Sequence, residues 1–210
     1  MKRLMLGLAM LAGVAGLTQA AGNAERGEQY TQTCVACHGA DGNSAAGNFP
    51  KLAGQGERYT LKQLQDIKSG ERVVVTMTGL LDNFDDQQLA DIAAFYAAQD
   101  KTVGEADPEL VALGEQLYRG GNPETGVPSC AACHSPTGAG NDLAGYPMLS
   151  GQHAEYTALQ LNKFRLGYRA TENSDNVRVN DGESRVMRTT AFRLKDFEIE
   201  ALASYISGLH

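Results

Sequence analysis

Tryptophan is absent from this 210-residue chain. Domains below about 80 residues seldom build a sufficient core unaided, so a small domain without tryptophan needs a staple or a bound group. Runs of strict apolar–polar alternation are missing as well, which argues against half-buried strands and for an all-α class. Beyond the first twenty residues no segment is apolar enough to cross a membrane. Positive charge is scarce: 18 lysines and arginines face 25 aspartates and glutamates. That balance argues against nucleic acid or anionic lipid as a partner. No nucleophile paired with a base and no phosphate-binding glycine loop is found, so nothing points to a hydrolase or a nucleotide enzyme.

What is present begins with an export signal. Met1-Lys2-Arg3 precedes an apolar and glycine stretch from Leu4 to Leu17, followed by Thr18-Gln19-Ala20-Ala21. A basic start, a short apolar run and small residues at the end describe a secretory leader, cleaved after Ala20. The leader contains no cysteine, which excludes lipidation there. Of the 18 basic residues, Lys2 and Arg3 fall in it, leaving 16 against 25 acidic and a net charge of −9. The expected location is the periplasm.

The four cysteines are all consumed by two copies of one motif, Cys34-Val35-Ala36-Cys37-His38 and Cys130-Ala131-Ala132-Cys133-His134. A zinc knuckle or a thioredoxin-like dithiol would account for each C-x-x-C pair, but neither requires histidine at the next position. C-x-x-C-H is the attachment pattern of c-type haem, in which both thiols bond to the porphyrin and the histidine takes one axial position on iron. Two covalent haems c are the expected cofactors, and each would supply the core that the composition lacks.

The motif belongs to a longer repeat. Phe49-Pro50-Lys51-Leu52-Ala53-Gly54-Gln55 matches Tyr146-Pro147-Met148-Leu149-Ser150-Gly151-Gln152 at an offset of 97, and Leu89, Ile92 and Phe95 match Ile199, Leu202 and Tyr205 at 110. The second copy therefore carries about 13 extra residues between Gly167 and Met187. The expected organisation is a leader over 1–20, one domain over 21–104 and a second over 105–210. Helices are expected over 24–33 and 108–118, around Leu61, Leu64 and Ile67, around Ala158, Leu161 and Phe164, and at the two final apolar stripes. Gly70 and Gly167 read as helix-ending residues, and Asp85 with Gln88 as a capping pair. Tyr30, Phe95, Tyr118 and Tyr205 are read as packing between first and last helices.

The occupant of each iron's sixth position separates a carrier from an enzyme. Met77 precedes Leu89 by 12 residues and Met187 precedes Ile199 by the same number, so the two methionines are equivalent. A buried methionine is often plain core filler; equivalence in the repeat favours thioether ligation, which gives closed, high-potential sites. Met148 competes in the second half, but its counterpart is Lys51. His153 reads as a surface or loop histidine and His210 as a fraying end.

The two C-x-x-C-H motifs, the Phe49–Gln55 run with its copy, Met77-Thr78-Gly79, Met187 and the ending Ser204-Tyr205-Ile206-Ser207-Gly208-Leu209-His210 resemble the dihaem cytochrome c4 family. The resemblance spans the chain beyond the leader. It implies two class I cytochrome c folds related by a pseudo-twofold, with facing haems and axial pairs His38 with Met77 and His134 with Met187. It also implies a role for Pro50 and Pro147, whose carbonyls would accept the histidines' other N–H. The expected function is periplasmic one-electron transfer, from a donor such as a quinol–cytochrome c reductase to an acceptor such as a terminal oxidase, with peripheral membrane association possible in such a carrier. The rivals are a dihaem peroxidase and an electron-accepting haem subunit of a sulfur-oxidising dehydrogenase. Charge placement has two readings, ordinary solvated helix faces or unequal docking faces: Asp82, Asp85, Asp86, Asp91 and Asp100 follow Met77, whereas Arg185, Arg188, Arg193 and Lys195 surround Met187. The insertion over 171–184 is either a docking loop or a tolerated surface excursion, and reads as the second.

Overall fold

Asn23 opens helix α1 (Ala24–Glu28) by accepting the Arg26 N–H on its side chain. The helix expected over 24–33 stops here, because the Thr31 hydroxyl donates to the Glu28 carbonyl and competes with the helical ladder. Hydrogen-bonded turns carry the chain on to α2 (Val35–His38). Then come α3 (Glu57–Ser69), a 3₁₀ turn (Val75–Met77) and α4 (Asp86–Ala97). The second half repeats the order with α5 (Pro108–Gly120), α6 (Ala131–His134), α7 (Ala154–Gly167), α8 (Val186–Ala191) and α9 (Asp196–Gly208). This computed structural model describes residues 21–210, so the leader expected over 1–20 lies outside the described residues. Among the described residues there is no strand; two isolated antiparallel bridges, Asn122–Val127 and Asn141–Tyr146, close loops in the second half.

In each half the first helix crosses the last, α1 on α4 and α5 on α9. Glycine permits both crossings. A Cβ on Gly27 would lie 2.0 Å from the Asp91 carbonyl, and one on Gly114 would lie 2.4 Å from the Ala201 carbonyl. Asp91 and Ala201 are repeat equivalents, as are Phe95 and Tyr205, which flank the same contacts. Beneath the crossings lie two cores. Leu81, Leu89, Ile92, Phe95 and Tyr96 form the first, with Tyr30, Leu61, Leu64 and Ile67 packed on it. Leu117, Tyr118, Leu194, Ile199, Leu202, Tyr205, Ile206 and Leu209 belong to the second. The tyrosines expected between first and last helices meet there, Tyr118 and Tyr205 at 5.6 Å. Asp85 and Gln88 form the expected reciprocal cap of α4.

Two expectations are corrected. Gly70 ends α3 in the left-handed conformation at φ +83°, but Gly167 is still helical. Its smallness serves a close approach instead: a Cβ there would stand 2.4 Å from the Arg178 carbonyl. The insertion over 171–184 is largely exposed, as expected, but it is not a free excursion. It folds back across the first half, where Arg178, only 6% exposed, donates to the Tyr59 hydroxyl at 2.9 Å and to Gln63 at 2.8 Å. Asn180 donates to Gln63 and Asp66, and Asn173 donates to the carbonyls of Gly70 and Glu71. Phe164, expected in a core stripe, packs beneath the Arg178 guanidinium at 4.5 Å. Buried polar groups must be satisfied, and Arg178 finds part of its partners in the first half, at Tyr59 and Gln63, and part in its own, at Gln160 and Asn180.

Two outcomes follow from the α1–α4 crossing. Gly27→Ala is expected to cost about 1–3 kcal/mol through overpacking, read by urea unfolding of the haem-loaded protein. Asp91 is buried and accepts from Asn23 N–H, the Arg26 guanidinium and Gln87. The hydrogen bond from Arg26 is the main reason its carboxyl lies below the usual range. A lowered folded-state pKa stabilises above the unfolded value of about 4 and is lost as pH falls through the lower folded value. Wild type should therefore exceed Asp91→Asn by about 1–3 kcal/mol at neutral pH. That margin should close only in acid, in the same unfolding measurement.

Candidate functional site

Each cysteine motif forms a single helical turn. Cys34 stands at the start of α2 with Cys37 and His38 inside it, and Cys130, Cys133 and His134 are placed the same way in α6. Spacings of i, i+3 and i+4 bring two thiols and an imidazole to one face. All four cysteines are free and half-buried. Burial pushes the Cys130 thiol up to about 11 and raises Cys34 as well. Among the described residues, no group of three or more His, Cys, Asp and Glu is gathered to hold a metal ion.

The histidines are fixed from behind. His38 Nδ1–H donates to the Pro50 carbonyl at 2.9 Å, and His134 Nδ1–H donates to the Pro147 carbonyl at the same distance. The expectation that these prolines act through their carbonyls thus matches the geometry. Phe49 and Tyr146 set ring edges against the two imidazoles at 6.2 and 6.1 Å. Burial lowers the pKa of both histidines, opposed by the proline carbonyls. With Nδ1 committed to a carbonyl, each ring leaves Nε2 as the donor atom for a metal.

A c-type haem fits these residues. In the first half the Tyr96 hydroxyl, beside the Cys34 thiol, and the Thr60 hydroxyl are buried without a protein hydrogen-bond partner. Tyr96 thus has only the thiol beside it, and buried hydroxyls in that state call for a further partner. Met77 closes the 3₁₀ turn and packs against the same core as Cys34. The Val75 N–H that opens this turn donates to Asp175 of the insertion at 3.2 Å. Met187 lies in the first turn of α8, where Asp181 accepts from the Arg188 N–H and pairs with its guanidinium. Both methionines are half-buried.

The competing candidates find other work. Met148 sits at the junction of the halves, its sulfur 3.3 Å from Lys101 Nζ. His153 stands in the loop that leads into α7, but it is held across the junction rather than free: its Nε2 lies 2.9 Å from both the Ser44 hydroxyl and the Ser44 carbonyl of the other half. His210 is exposed. The charge asymmetry is only partly one of free surface. Asp91 is buried against Arg26, Arg188 is tied to Asp181, and Arg193 donates to the Gly126 carbonyl.

The junction itself was not read from the sequence. Gln55 takes both the N–H and the C=O of Met148, at 2.8 and 2.9 Å, and Gln152 takes both from Lys51, each at 2.9 Å. Such reciprocity is the mark of a twofold contact. The signal for it was present, since Gln55 and Gln152 close the two matched runs. Periodicity alone assigns them no contact.

Comparison with known proteins agrees with this construction. The cytochrome c family model matches residues 24–98 and 111–210. The chain is thus a c-type cytochrome of two domains, each carrying covalent haem c on its pair of cysteines. It is 52% identical to cytochrome c4 of Azotobacter vinelandii over 100% of both chains. The crystal structure of reduced recombinant cytochrome c4 from Pseudomonas stutzeri matches with a TM-score of 0.85 and 54% identity, covering 90% of this chain and 100% of that one. The chain belongs to the dihaem cytochrome c4 family. It is also 33% identical to the thiosulfate dehydrogenase electron acceptor of Stutzerimonas stutzeri, over 95% of this chain and 94% of the relative. Membership makes the protein an electron carrier working with other redox proteins rather than an enzyme, which sets aside the peroxidase alternative. Replacing Cys34 and Cys37 together by serine should leave one haem per chain, halving haem absorbance per mole of protein.

Proposed function

We propose that the axial pairs are His38 with Met77 and His134 with Met187, and that both sites are closed and of high potential. The observation that carries this reading is the equivalence of the methionines, each 12 residues ahead of the final apolar stripe of its half. Packing of Met77 on the core that also holds Cys34 supports it. When bound, each haem supplies a one-electron iron couple. The chain's own part is to orient the imidazoles through Pro50 and Pro147, and to present thioethers from two anchored turns. It also keeps the halves in one arrangement, so that little moves between oxidation states. Residues 1–20 are taken as the export leader, with domains over 21–104 and 105–210.

In this reading the protein is a periplasmic carrier that accepts electrons from a donor such as a quinol–cytochrome c reductase and passes them to an acceptor such as a terminal oxidase. Among the described residues no helix is long and apolar enough to cross a membrane. Any membrane association in the mature chain is therefore proposed as peripheral. The whole-length similarity to a thiosulfate dehydrogenase electron acceptor favours a second source of electrons, a sulfur-oxidising dehydrogenase. Stopped-flow reduction by each class of donor separates the two: the physiological donor should reduce the protein with a rate that depends strongly on ionic strength.

Met187→Ala tests the ligand set. It should open only the second iron to carbon monoxide in the reduced state, remove one iron–methionine charge-transfer band and lower one midpoint potential, leaving the first haem unchanged. Carbon monoxide binding by the reduced wild type, or an unaltered spectrum in the variant, would overturn the assignment.

A further inference from the structure

The two proline carbonyls that hold the histidines belong to peptide groups whose other ends are taken across the junction. Pro50 C=O and Lys51 N–H are one peptide unit. The carbonyl accepts from His38 at 2.9 Å, while the N–H donates to the side-chain oxygen of Gln152, also at 2.9 Å. Pro147 C=O and Met148 N–H form the equivalent unit. Its carbonyl accepts from His134 at 2.9 Å, and its N–H donates to the Gln55 side-chain oxygen at 2.8 Å. Each glutamine amide then donates back to the next carbonyl, Lys51 O or Met148 O, which fixes the orientation of the amide. Gln152 and Lys51 are buried, so water does not replace these bonds.

We propose that Gln55 and Gln152 are positioning residues for the axial histidine of the opposite domain, each acting through a single peptide group; this rests on the assignment of His38 and His134 as axial ligands. An amide that donates at its N–H becomes a better acceptor at its carbonyl, because hydrogen bonds in a chain polarise one another. A better carbonyl acceptor draws the imidazole Nδ1–H and strengthens Nε2 as a donor to iron. Stronger donation favours oxidised iron. Each domain therefore holds down the potential of the other's haem, and separating the domains raises both. The crossing of partners distinguishes this device from ordinary interface stability: a residue in the second domain governs the first site, and the reverse.

The test uses the full haem-loaded protein with Gln152→Leu, Gln55→Leu and, as a control on interface loosening alone, Asn173→Ala. Asn173 bonds the Gly70 and Glu71 carbonyls, away from both peptide units. Hydrogen exchange at the Lys51 amide should quicken roughly tenfold in Gln152→Leu, and exchange at Met148 in Gln55→Leu, as expected for one lost hydrogen bond. In an NMR-monitored redox titration, with each haem identified by contacts to its own cysteine pair, Gln152→Leu should raise the midpoint of the first haem and leave the second. Gln55→Leu should do the opposite. The proposal is overturned if the potentials stay put while exchange quickens, if both haems move together, or if Asn173→Ala reproduces the shift. Failure of the ligand assignment would show separately, as a high-spin haem or a missing iron–methionine band in the unsubstituted protein.

Discussion

The hydrogen bond from His38 Nδ1 to the Pro50 carbonyl, with its copy from His134 to Pro147, is the contact on which the other features converge. It selects the tautomer, leaves Nε2 for iron and fixes the orientation of a buried ring. To hold a carbonyl at 2.9 Å from a ring nitrogen, the loop after each C-x-x-C-H turn must be pinned from outside. Leu52 and Ala53 donate back to the Gly42 carbonyl, and Leu149 and Ser150 to the Gly138 carbonyl. The glutamines complete the restraint from across the junction. Remove the loop's anchors and the imidazole loses its orientation, whatever the cysteines do.

The two halves are therefore more than tandem copies. Their junction is polar and reciprocal around Lys51, Gln55, Met148 and Gln152, and asymmetric where the insertion crosses over. Arg178 and Arg72 bridge it, bonding to Tyr59, Gln63, Tyr156 and Gln160. The linker is held to both sides as well: Thr102 N–H donates to Asn43, and Gly104 N–H donates to the Ser207 carbonyl. A polar interface of this kind depends on geometry for its stability, since each buried group left unpaired costs about 1–3 kcal/mol. It suits a carrier whose two sites must keep a constant relation.

Much of this was legible from local pattern. The apolar stripes ending at Phe95 and Tyr205 are the buried faces of α4 and α9, because a 3.6-residue period and a one-sided core are the same constraint. The capping pair Asp85 and Gln88 was readable because its bonds span three residues. Readings failed where the deciding contact was distant. Gly167 looks like a helix terminator until the Arg178 carbonyl is seen against it. His153 looks solvent-facing until Ser44 of the other half arrives. The polar insertion has the composition of a loop, and only the opposing Tyr59, Gln63 and Asp66 turn it into a clasp. Gly27 and Gly114 carry a sequence signal, a glycine inside each first helix, but its meaning required the crossing helix.

By itself the sequence determined the covalent chemistry, the repeat and the helical class, because cysteine spacing, internal offsets and apolar period are properties of neighbours along the chain. Tertiary structure decided how the halves face one another, and that the peptide behind each histidine is held by a glutamine from the other half. Those are properties of groups about a hundred residues apart. Their partners are chosen by the closing of one polar junction, which no local preference encodes.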